Sequence, residues 1–75
     1  MNLRKLGPNE TEVRFSSGLT VLVSYETPVA ATLVDGTTIR TAHKWSVTTS
    51  KHINRWLGSC KATTVPQSQL DTLLG

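Results

Sequence analysis

Between Arg40 and Arg55 the chain gathers cations, hydroxyls and aromatic rings into one short run: Arg40, Lys44, Trp45, Thr48, Thr49, Ser50, Lys51, His52 and Arg55. That mixture suits the holding of an anion better than the breaking of a bond. Lysine and arginine neutralise phosphate charge. Hydroxyls and free N–H groups at a helix start form an anion site by geometry and dipole. Trp45, if exposed, offers a face on which a base can stack. Trp56 falls on the apolar stripe of the same segment and is expected in the core.

Catalytic arrangements are not supported. Serines, histidines and acids are all present, but there is no Gly-x-Ser-x-Gly elbow, and the acids lie mostly in the other half of the chain. The five glycines are scattered and form no phosphate-cradling loop. His43, His52 and Cys60 are the soft metal-ligand side chains, and they show neither Cys-x-x-Cys nor His-x-x-x-His spacing. The expectation is a non-enzyme with no cofactor and no metal.

The formal charge of +3 is unevenly spread. Residues 1–35 sum to −1, whereas residues 36–70 carry Arg40, Lys44, Lys51, Arg55 and Lys61 with no acid, a local sum of +5. Such asymmetry points to an anionic partner. A single cysteine rules out an intramolecular disulfide and suits a reducing cytoplasm. No run has the length of a signal peptide's apolar region or of a membrane span, so a cytoplasmic protein without a membrane partner is expected.

Seventy-five residues make room for one small domain. The first half reads as β structure. Val13 and Phe15 alternate with polar neighbours, Ser16-Ser17-Gly18 supplies turn chemistry, and Leu19, Val21, Val23 and Tyr25 alternate with Thr20, Leu22 and Ser24. Pro28 is expected at a strand start, bulge or edge. A strand over residues 29–34 leads to Asp35-Gly36, whose composition predicts a type I′ turn. The chain returns over residues 37–41, with residues 44–47 as a continuation beyond a bulge at Ala42-His43.

A helix then starts at the hydroxyl-rich segment, Thr48, Thr49 and Ser50 being able to cap it. Ile53, Trp56 and Leu57 form its inward stripe, Lys51, His52, Asn54 and Arg55 point elsewhere, and Gly58 ends it. After a loop or short strand, Thr64 and Gln67 fit a capping box around Pro66, and Leu70, Leu73 and Leu74 mark a second helix. Residues 1–9 are expected as an N-terminal arm. The fold class is α+β: an antiparallel meander of three to five strands, or a small open barrel, with two short helices.

Two segments carry a likeness. Ser24-Tyr25-Glu26-Thr27-Pro28-Val29-Ala30 and Ser46-Val47-Thr48-Thr49-Ser50-Lys51-His52-Ile53 resemble the Ser-Tyr-x-Thr-Pro-Val-Ala and Ser-x-Thr-Thr-Ser-Lys-His-Ile segments of a family of small uncharacterised proteins from tailed bacteriophages. The likeness spans about residues 13–58. It implies a setting, the host cytoplasm, and assigns no ligand. The two segments are expected to meet in space, with Tyr25 and Thr27 beside His52.

The functional expectation is low-specificity nucleic-acid binding, DNA or RNA, through the strand-to-helix surface. The alternative is an effector that binds a host polymerase, nuclease or defence complex, which would show an exposed apolar patch or unpaired sheet edge near Pro28 or the terminal leucines.

Overall fold

A computed structural model describes residues 2–43, 45–58 and 61–74, with Leu74 described for its backbone alone. Six strands form one open sheet in sequence order: β1 (Asn2–Gly7), β2 (Glu10–Arg14), β3 (Thr20–Ser24), β4 (Thr27–Thr32), β5 (Thr38–Thr41) and β6 (Thr63–Val65). The first five pair antiparallel, and β6 adds parallel to β5 after an intervening helix. That helix, α1 (Val47–Leu57), and the C-terminal α2 (Gln67–Leu74) complete an α+β domain.

The helices lie on opposite faces, and the strand registers show why. One row of paired residues, Val13, Val21, Ala31 and Ile39, packs with Val65 and Leu70, so it lies beneath α2. The neighbouring row of Glu12, Leu22, Ala30 and Arg40 lies on the α1 side, where Leu22 and Ala30 pack with Ile53 and Leu57. Strands β3 and β4 are therefore covered twice. Val29, Ala30 and Ala31 form the continuous apolar run that a strand buried on both faces requires.

Several local expectations are corrected. Residues 2–7 form an edge strand rather than an arm ahead of the fold. Their sequence hid this because β1 is largely exposed, so no apolar alternation was selected. At residues 33–37 Gly36 alone has positive φ, +92°, while Asp35 does not. The Gly36 N–H donates to the Leu33 carbonyl and the Leu33 N–H to that of Thr37. This is a three-residue loop closed by a left-handed glycine rather than type I′.

The two-residue turn with positive φ at both centres is instead Tyr25-Glu26, at +50° and +69° between the paired Ser24 and Thr27. It is a type I′ geometry built without glycine. Pro28 sits beside the register shift that leaves Val29 as the extra residue of a bulge. Strand β5 ends at Thr41, and over 45–47 the expected continuation does not form: Trp45 and Ser46 are irregular and Val47 opens α1. Lys44 and Cys60 lie outside the described residues.

Candidate functional site

Helix α1 is positioned by a chain of hydroxyls that starts at its cap. Ser46, not Thr48, Thr49 or Ser50, is the N-cap, its Oγ accepting from the Thr49 N–H at 3.1 Å. The Ser46 hydroxyl donates to Thr49 Oγ1 at 3.2 Å. Thr49 Oγ1 lies 3.3 Å from Ser24 Oγ, which lies 2.9 Å from His52 Nδ1. Thr49, Ser24 and His52 are all buried.

The direction of this chain follows from donor counting. Each hydroxyl has one proton to give. With the Ser46 proton on Thr49, the arrangement in which every hydroxyl donates runs from Thr49 to Ser24 and from Ser24 to His52 Nδ1. That assigns His52 the tautomer protonated at Nε2. Nε2 has no partner among the described residues, and no buried side-chain nitrogen or oxygen there lacks one, so this N–H opens to solvent.

The burial of His52, at 7% exposure, was not expected, since its helical position places it beside the apolar stripe. What pulls it inward is Ser24, a polar residue on the covered side of a central strand. Tyr25 stacks on the His52 ring with centroids 6.0 Å apart. Strict alternation would send Tyr25 to the side of Val21 and Val23; the left-handed turn brings it to the α1 side instead. Thr27 is half-buried and pairs in register with Ser24. The two segments singled out in the sequence therefore do meet.

Two acids on β2 anchor the far end of α1, and sequence reading had not connected them to the site. Glu10, 1% exposed, accepts from Arg55 Nη2, while the Arg55 side chain stays 70% exposed. Glu12 accepts from Trp56 Nε1 at 2.9 Å and from Arg14 Nε at 2.8 Å. Burial pushes the Glu12 carboxyl up, but the hydrogen bonds from Trp56 and Arg14, with the charges of Arg14 and Arg4, hold it below the usual value.

The exposed face of α1 carries two open depressions. Thr48, Lys51, His52, Asn54 and Arg55 line one of 510 Å³, and Trp45, Ser46, Val47 and Ser50 line the other, of 340 Å³. Lys51 has no ion-pair partner among the described residues, whereas Arg55 is already engaged with Glu10. Arg40 lies on the β5 flank of α1, its Nη1 reaching Asn54 Oδ1 at 3.4 Å.

Trp45 is exposed by 46% yet held in place. Its Nε1 donates to Gln67 Oε1 at 3.1 Å, and the His43 ring packs 4.2 Å away at a tilt of 57°. Gln67 also accepts from Thr41 Oγ1 and donates to the Pro28 carbonyl and to Asp71. It opens α2 as a clamp between elements rather than closing a capping box with Thr64, which sits in β6.

Among the described residues no group of three or more His, Cys, Asp or Glu side chains is placed to hold a metal ion, and no helix is long and apolar enough to cross a membrane. No curated protein and no solved structure matches the chain. The family model that does match, over residues 1–72, is that of a family of unknown function, DUF8033, and the chain belongs to this family.

Proposed function

We propose that this domain binds nucleic acid with low sequence specificity, without catalysis or cofactor, through the surface formed by Trp45 and the exposed side of α1. The observation that carries this reading is Trp45. A large ring left half in water costs solubility and contributes little to the core, and here it is oriented by the hydrogen bond its Nε1 donates to Gln67. An immobilised ring at the start of the helix that carries Lys51 and Arg55, in a stretch of sequence free of acids, has the composition of a stacking platform on a cationic track. Nothing on it resembles a helix shaped to read base edges, so recognition rests on phosphate charge and stacking.

Fluorescence anisotropy of labelled single- and double-stranded DNA and RNA, titrated at two salt concentrations, tests this. Salt-dependent binding at micromolar or tighter supports the reading. Lys51→Ala should lower the slope of log affinity against log salt by about one. Absence of binding at low salt removes it. The resemblance to tailed-phage proteins would place the activity in a host cytoplasm, on phage or host strands.

One observation favours a second reading, a protein-binding effector. The sheet's open edges are β1 and β6, not Pro28, which lies on an interior strand, and Leu70 is buried; on the β1 edge Leu3 is 69% exposed. An edge of this kind can accept a partner strand. A Leu3→Glu variant separates the two readings: it should abolish capture of a protein partner and leave nucleic-acid affinity unchanged.

A further inference from the structure

The nucleic-acid reading leaves open which part of a strand the larger depression on α1 would take, and the donors around it are specific enough to say. Its five lining side chains, Thr48, Lys51, His52, Asn54 and Arg55, can all donate a hydrogen bond, and no carboxylate is among them. Glu10, the acid paired with this lining, is buried beneath Arg55, where it holds the guanidinium by Nη2 and leaves its other N–H groups for a ligand. The hydroxyl chain from Ser46 through Thr49 and Ser24 sets the His52 N–H at Nε2, the nitrogen that opens to solvent. Two cations, a directed imidazole N–H and the Thr48 hydroxyl thus surround one concavity.

That set exceeds what a passing backbone phosphate asks for. A phosphodiester carries one charge and continues in both directions, and a single lysine on an open surface serves it. A phosphomonoester ends a strand, carries roughly −1.5 to −2 at neutral pH and presents three strong acceptor oxygens. Arginine and lysine meet such a group with charge-assisted hydrogen bonds. Helix α1 rises by about 12 Å between Val47, beside Trp45, and Arg55. A strand ending in the depression can therefore lay one of its first bases on the Trp45 ring.

We propose that the depression is a binding site for the terminal phosphomonoester of a nucleic-acid strand, with Lys51 and Arg55 supplying charge, and His52 Nε2 and Thr48 supplying neutral donors. This rests on the nucleic-acid reading, but it can fail alone. The test uses 12-nucleotide single strands of one sequence, labelled internally, bearing a 5′-phosphate, a 3′-phosphate or hydroxyls at both ends. A 14-nucleotide hydroxyl-ended strand, two phosphodiesters longer, controls for the added charge. One of the two phosphorylated ends should bind about tenfold tighter than that control, and Lys51→Gln should erase the difference. Arg55→Lys, which keeps a cation over Glu10, should reduce it.

Equal affinity for phosphorylated and control strands would overturn the inference while leaving low-specificity binding in place. A preference that survives in both variants would overturn this location. Failure of every strand to bind would remove the underlying reading as well.

Discussion

Ser24 Oγ lies 2.9 Å from His52 Nδ1, and this buried contact joins the end of β3 to the middle of α1 across 28 positions of sequence. With the Glu10–Arg55 and Glu12–Trp56 contacts at the far end, it gives a helix seated on Ile53 and Leu57 a defined rotation, because a hydrogen bond is directional where apolar contact is not. Ser24→Ala should strand Thr49 and His52 and cost about 1–3 kcal/mol of stability by urea denaturation. Imidazole ¹⁵N shifts should show the Nε2-protonated tautomer in the parent and loss of that preference in the variant. A parent protonated at Nδ1 would refute the hydroxyl chain.

The carboxylate of Glu12 makes stability depend on pH. Its folded value lies below the ordinary 4.5, so the unfolded chain binds more protons through that range. The stabilisation is fully present above about 4.5, the unfolded value, and is lost as pH falls through the depressed folded value. Thermal melts between pH 6 and pH 3 should show this loss, and Glu12→Gln should flatten part of the curve while costing stability at neutral pH.

The Tyr25-Glu26 turn stores backbone strain, since left-handed φ disfavours residues with a Cβ. Glu26→Gly should raise stability by roughly 1 kcal/mol, relief of that strain outweighing the entropy glycine adds to the unfolded state. Tyr25→Asn also suits the turn but gives up the stack on His52, so its gain should be smaller. Urea midpoints of the two variants provide the comparison.

Trp45 and Lys51 should make separable contributions to binding affinity. Trp45→Ala is expected to cost about 1–3 kcal/mol of single-strand affinity with the salt slope unchanged, the signature of lost stacking. Gln67→Leu should produce part of that loss without touching the strand, by freeing the ring, together with about 1 kcal/mol of stability. Salt titrations of both variants beside Lys51→Ala check this pattern.

The alternating strands, the places of the turns at Gly18 and Gly36 though not the type of the second, and a helix with Ile53, Trp56 and Leu57 inward were legible because each rests on local rules. Alternation, glycine's freedom and helical spacing all act within a few residues. The candidate surface was legible in kind, as a stretch of cations, hydroxyls and tryptophan. Its division of labour was not. Thr49 serves the interior, His52 faces it through Nδ1 but lines the depression as well, Arg55 serves Glu10 as well as solvent, and Trp45 stands outside.

From the sequence alone came the class of the fold, the basic half and the two segments that belong together. Tertiary structure decided which face each polar residue serves, because that depends on partners far along the chain: Ser24 draws in His52, Glu10 orients Arg55 and Gln67 holds Trp45. It also decided that residues 2–7 pair with β2, since an exposed edge strand leaves no apolar pattern to read, and its existence is set by the backbone hydrogen bonds its neighbour has to offer.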